Sequence, residues 1–254
     1  VAESDGFEVL HMYVDALWIK KKDCNKPEHF TDLIRKINLH TGLTINLDGI
    51  YRWVAFLPSK TDARIPIANR YFGVFQSGEI KIRGLEARRR DTPRWIAAVQ
   101  QQMIALLGQA RSSAELTDCV HEAFRFYCRA LRKLEENLVP LDQLVVNGKV
   151  SYALEAYKAS TPSVRAARQM EAAGIPIKPG MRIRFLYREG EPDVFAWDLG
   201  KALNPREVNK AKYIELLAKA GSAVLAPFGI SETLFREWSQ NRSIQLNINH
   251  VLFE

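Results

Sequence analysis

Cysteine is scarce and poorly placed for cross-linking. Cys24, Cys119 and Cys128 are three, scattered, and without the spacing of a metal site. That excludes a disulfide framework and a zinc module, and fits reduced thiols in the cytoplasm. No apolar run approaches the roughly 20 residues a membrane-spanning helix needs, and no signal peptide opens the chain, so no membrane is expected. His11, His29, His40, His121 and His250 stand isolated, which predicts surface or core histidines rather than ligands. A Gly-rich phosphate loop, a Ser/His/Asp arrangement, internal repeats and low-complexity tracts are all missing. What is present is an ordinary globular composition, 47% hydrophobic and 26% charged, in a chain long enough for one core or two.

Charge is distributed unevenly. Residues 1–80 carry 10 basic and 10 acidic side chains, residues 81–133 carry 11 and 5, and residues 149–188 carry 8 and 2. Two basic blocks in a chain of net charge +7 favour a polyanionic partner, although solvated helix faces give similar counts.

The first third reads as strands with one helix. Phe7 to Tyr13 and Leu17 to Lys20 are strand-like about Val14-Asp15-Ala16. Pro27 to Asn38 has helical spacing in Phe30, Leu33, Ile34 and Ile37, ended by Thr41-Gly42. Thr44 to Leu47 and Tyr51 to Leu57 are expected to pair about an Asp48-Gly49 turn, followed by a loop over residues 59–67. After Pro93 the period becomes helical. Trp95, Val99, Met103, Leu106 and Leu107 form one stripe, and Leu116, Val120, Phe124, Tyr127, Leu131 and Leu134 a second, capped by Ser112 or Ser113. A polar flank of the second carries Arg125, Arg129, Arg132 and Lys133. A third helix is expected from Thr161-Pro162 to Gly174, a strand over Met181 to Tyr187, a helix from Asn204-Pro205 through Lys219 punctuated by Gly221, and a short one capped by Ser231-Glu232. The tryptophans fall in apolar patterns and are expected to pack. The fold class is α+β: an antiparallel sheet with a packed helix, then a mostly helical part, divided near residue 91.

The stretch from Asn69 to Trp95 organises the rest. Tyr71 to Phe75 and Glu79 to Arg83 are the arms of a hairpin about Gln76-Ser77-Gly78, with Ile80 and Ile82 on one face and Lys81 and Arg83 on the other. Arg88-Arg89-Arg90 then arrives just before a helix that Asp91 or Thr92 can cap, with Pro93 in its first turn. Such a turn can grip phosphates, or be only a solvated basic turn.

Arg83-Gly84-Leu85-Glu86 followed by Arg89-Arg90-Asp91 resembles the end of the palm in family B DNA polymerases. There the segment joins palm to thumb, and its basic residues meet the primer–template backbone. Further on, Tyr157-Lys158 before Pro162 resembles the thumb pattern Tyr-Lys-x-x-x-Pro-His with Ser163 for the histidine, and Gly174-Ile175 and Lys178-Pro179-Gly180 match the turn before a thumb strand. The resemblance implies the C-terminal part of a palm over residues 1–91 and a thumb over residues 92–254. It also implies DNA contacts at Tyr71, Arg83, Arg88, Arg89, Arg90, Tyr157, Lys158, Arg165 and Arg168.

The catalytic positions agree less well. The family's Tyr-Gly-Asp-Thr-Asp corresponds to Tyr13-Val14-Asp15-Ala16-Leu17, so Asp15 is retained and Leu17 replaces the second carboxylate. Leucine cannot ligate Mg²⁺. Asp48-Gly49 corresponds to a Glu-Gly pair, which makes Asp15 and Asp48 the remaining candidate metal ligands. They are expected to lie close together, with Leu17 facing the cleft. The Lys-Lys-x-Tyr strand entry keeps Tyr71 and loses both lysines. No exonuclease domain, upstream Asp-x-x-Ser-Leu-Tyr motif or Lys-rich fingers helix is found, and a first residue of valine fits a piece of a longer protein. Three readings follow: an impaired polymerase fragment that binds primer–template duplex; a split-polymerase subunit whose separate partner chain brings exonuclease, upstream palm and fingers and completes a Mg²⁺ site; or a polymerase-derived DNA-binding scaffold. The expected location is cytoplasmic, associated with the nucleoid.

Overall fold

Alternating apolar side chains close the N-terminal part into two small antiparallel sheets in the computed structural model, whose described residues are 1–59, 62, 65–230, 233, 235 and 237. The chain divides into two compact units, Val1–Gly84 and Leu85–Glu254.

In the first unit, β1 (Glu8–Tyr13) and β2 (Ala16–Lys20) form a hairpin in which Met12 faces Leu17 and Tyr13 faces Ala16. A short 3-10 turn, Pro27–Phe30, runs into α1 (Thr31–Thr41), which ends where Gly42 adopts a left-handed conformation and donates its N–H to the Asn38 carbonyl. Phe7, Phe30 and Leu33 are buried here with Val9, Ile19, Ile34 and Ile37 against them. β3 (Tyr51–Pro58), β4 (Pro66–Phe75) and β5 (Ile80–Arg83) form a meander. Trp18 sits edge-on to Phe56 and Tyr71, with ring centroids 5.4 and 5.2 Å away. Trp18 packs among aromatic side chains, as expected.

Three sequence expectations fail in this unit. No strand forms over residues 44–47. The Ile45 N–H, which a strand would give to a neighbour, goes instead to the Asn38 Oδ1 of α1 at 2.9 Å. Gly49 is not a hairpin turn either. A Cβ there would fall 2.6 Å from the Phe75 ring, so glycine permits a close approach. Pro66, read as loop, opens β4 opposite Pro58, a first-residue position where a missing N–H is tolerated.

In the second unit, α2 (Arg94–Leu107) packs on α3 (Ser113–Glu135) and on α6 (Lys210–Leu225). The buried stripe of α2 is Ile96, Val99, Gln100, Met103, Ile104 and Leu107. It is turned from the expected one, and Trp95 is half-buried. Pro93 takes the N-cap position with no side-chain cap, so neither Asp91 nor Thr92 caps the helix. Ser112 caps α3 by accepting the Glu115 N–H. The helix expected from Asn204-Pro205 begins instead at Lys210, capped by Asn209, after a single 3-10 turn at Pro205–Glu207. It also runs through Gly221. A Cβ at Gly221 would lie 2.8 Å from the Tyr127 ring, so α6 keeps glycine there for packing, against a helix-propensity cost of about 1 kcal/mol. The cap at Ser231-Glu232, Trp238 and the tail from Ser243 lie outside the described residues.

A second layer of this unit was only partly foreseen. The short helix α4 (Leu141–Leu144) leads into β6 (Val146–Lys149), which pairs with β7 (Arg182–Tyr187), and β7 pairs with β8 (Val194–Ala196). Only β7 was legible, because the other two strands are four and three residues long. α5 (Pro162–Ala172), capped by Thr161, buries Val164, Ala166, Ala167 and Met170 against Val146, Val150, Ile183 and Phe185. Among the described residues, no helix is long and apolar enough to cross a membrane.

Candidate nucleic-acid interface

The β1–β2 turn holds Val14 and Asp15. Asp15 is exposed, and Val14 is 91% exposed with φ at +43°. The left-handed region costs an L-residue roughly 1–2 kcal/mol, most for β-branched side chains. Val14→Gly is therefore expected to stabilise the first unit by about 1 kcal/mol, read from urea unfolding. Leu17 is 37% exposed and is not buried in the sheet. Asp48 lies in the loop before β3, and its carboxylate is ion-paired with Lys81 Nζ of β5. Among the described residues, no three His, Cys, Asp or Glu side chains gather into a metal-type cluster. The donors at hand are one exposed turn carboxylate, an apolar side chain and a carboxylate committed to a lysine. They do not fit Mg²⁺.

The arginine turn is held from beneath. Glu86, 6% exposed, opens a 3-10 turn, Glu86–Arg88. The Gln100 amide of α2 donates to Glu86 Oε2 at 2.9 Å and to the Ala220 carbonyl of α6 at 2.7 Å, and its Oε1 accepts the Ala87 N–H at 2.6 Å. Sequence reasoning missed Gln100, because a glutamine on an apolar stripe looks like a defect until its partners are known. Gln100→Leu removes three hydrogen bonds at once, two of them buried. The expected loss is about 2–4 kcal/mol of unfolding free energy in the second unit, measured by denaturant titration.

Above this anchor the three arginines differ. Arg89 is bidentate to Asp91, at 3.0 and 2.7 Å. Those hydrogen bonds push the Arg89 guanidinium up and hold the Asp91 carboxyl below its ordinary range. Arg88 and Arg90 are exposed, with no ion-pair partner among the described residues. Arg83, at the end of β5, is exposed as well.

The basic block 149–188 is sorted in the same way. Arg165 is bidentate to Asp193 at 2.7 and 2.6 Å, Arg184 meets Asp198 through its Nε at 2.7 Å, and Arg188 meets Glu207 at 3.0 Å. Three of the eight cations are thus spent on acids lying just beyond the block in sequence. Lys149, Lys158, Arg168, Lys178 and Arg182 are exposed and unpaired among the described residues. On α3, Arg125 and Arg129 both bind Glu122.

Two of the tyrosines named from the sequence pack rather than present themselves. Tyr71 is 6% exposed, its ring packed within the Trp18–Phe56 cluster. The Tyr157 hydroxyl accepts the Ser151 and Tyr152 N–H groups at 2.5 and 3.2 Å, which latches the loop between β6 and α5.

The sequence pattern that defines DNA polymerase family B matches residues 26–223. DNA polymerase 1 of Saccharolobus solfataricus is 26% identical over 231 residues, 91% of this chain and 25% of that protein. DNA polymerase 2 of Aeropyrum pernix is 28% identical over 229 residues, 89% of this chain and 26% of that one. The solved structure of the family B DNA polymerase from Pyrobaculum calidifontis superposes with a TM-score of 0.59 at 21% identity, covering 89% of this chain and 27% of that one, a likeness of fold. The chain spans about a quarter of the length of the curated relatives it matches. With a match across most of its length, the chain belongs to DNA polymerase family B.

Proposed function

We propose that the chain is the C-terminal palm and thumb portion of a family B DNA polymerase, gripping primer–template duplex through its backbone and transferring no nucleotide by itself. Residues 1–91 are the end of the palm and residues 92–254 the thumb. The observation that carries this reading is the turn after Glu86: a buried hydrogen-bond anchor beneath it, and Arg88 and Arg90 exposed above it without an ionic partner. Arg83, Lys158 and Arg168 join them as phosphate contacts, whereas Arg89 and Arg165 are held by acids. Leu17, at the place of the second carboxylate, supports the loss of catalysis. Titrating duplex binding against salt tests the reading.

A second reading has its own support. Leu10, Met12, Tyr13 and Leu17 are exposed apolar side chains on one small hairpin, in a chain that covers a quarter of its relatives. A separate chain carrying exonuclease, upstream palm and fingers would cover them and bring the carboxylates a Mg²⁺ site lacks. Addition of such a chain should then restore primer extension; the scaffold reading requires that it does not.

A further inference from the structure

β6 and β7 run antiparallel, and Lys149 and Arg182 are direct partners at the open end of their ladder. Val146, Val150, Ile183 and Phe185 turn into the core that α5 covers. Strand alternation therefore sends Lys149, Arg182 and Arg184 to the other face. Arg184 is answered there by Asp198. Lys149 and Arg182 have no such acid among the described residues.

Directly opposed residues of an antiparallel pair have Cβ atoms about 5 Å apart, and like charges so placed destabilise the ladder. A third cation, Lys178, stands in the turn entering β7. That turn is clamped: the Gly180 N–H reaches the Val150 carbonyl at 2.6 Å and the Met181 N–H the Lys178 carbonyl at 3.2 Å. The fold thus holds facing cations together without neutralising them. A repeating singly charged anion relieves that repulsion, and a phosphodiester backbone is one.

We propose that Lys149 and Arg182, assisted by Lys178, form a phosphate-binding site for a nucleic-acid backbone, a second point of grip in addition to the Arg88–Arg90 turn. The proposal rests on the duplex-binding reading given above.

The test uses the full chain, a fluorescent primer–template duplex and salt between about 50 and 200 mM. The double variant Lys149→Gln/Arg182→Gln is expected to lose about 1.8 from the slope of log affinity against log salt. Without DNA, its Tm should hold or rise, because a repulsion has been removed. Lys149→Glu places an acid opposite Arg182, so it should raise the Tm and weaken duplex binding together. Arg132→Gln on α3 should change neither. A wild-type chain with steep salt dependence beside a double variant of equal slope and affinity overturns this site and leaves the broader reading standing. A fall in Tm for both variants also overturns it, since the pair would then be supporting the sheet. A wild-type chain that binds no duplex removes both proposals.

Discussion

Given Mg²⁺, a primer–template and all four nucleotides, the purified chain is expected to extend no primer. Nucleotidyl transfer needs carboxylates that hold two divalent cations between the attacking and leaving oxygens. Here Leu17 offers no oxygen, Asp15 is a lone exposed carboxylate, and Asp48 is paired with Lys81. The shortfall against a complete site is on the order of 10⁶-fold or more, the lower end of enzymatic acceleration. No single residue closes it. Leu17→Asp puts a carboxylate on an exposed strand position two residues from Asp15, and should bring weak Mn²⁺ binding, measurable by paramagnetic broadening of the hairpin's resonances. Extension should stay absent, because Asp48 is still held by Lys81. Adding Lys81→Ala to Leu17→Asp should tighten Mn²⁺ binding further. Template-dependent incorporation by the unmodified chain would overturn the account of Leu17. If Leu17→Asp and Lys81→Ala together gain no Mn²⁺ affinity, these three positions do not converge.

Local signals were legible where they were self-contained. The hairpin around Gln76–Gly78 formed as read, with Phe72 opposite Ile82 and Tyr71 opposite Arg83. So did α1 with its Gly42 terminus and α5 with its Thr161 cap, because each rests on a spacing and a capping residue within one segment. The misses came from partners distant in sequence. Gly221 reads as a helix breaker until Tyr127 is found against it, and Thr44 to Leu47 reads as a strand until Asn38 takes the Ile45 N–H. The candidate interface follows the same rule. Counting charges found both basic blocks, but counting cannot tell Arg165, spent on Asp193, from Arg168, three residues later and exposed. Lys149 and Arg182 are 33 residues apart, and only the pairing of β6 with β7 brings them face to face.

Duplex binding should fall steeply with salt, and by an amount that counts the uncommitted cations. Each phosphate contact adds about −0.9 to the log–log slope. Arg83, Arg88, Arg90, Lys158 and Arg168 alone give about −4.5, a roughly 500-fold loss of affinity for a fourfold rise in salt; with Lys149 and Arg182 the slope becomes about −6.3, and the loss roughly 6,000-fold. Arg88→Ala/Arg90→Ala should take about 1.8 from the slope. The contrasting pair is Arg89→Ala/Asp91→Ala. It removes as many side chains from the same turn, but an arginine already neutralised by a bidentate carboxylate releases no phosphate-bound counterion, so the slope should hold. The fold tolerates that change: both members are about half exposed, and surface ion pairs contribute roughly 0–1 kcal/mol. Duplex sequence should matter little, since phosphate contacts carry no base information. If Arg89→Ala/Asp91→Ala flattens the slope as much as Arg88→Ala/Arg90→Ala, the sorting of cations into spent and available is wrong. If the unmodified chain binds with a slope near zero, neither basic block meets a phosphate backbone.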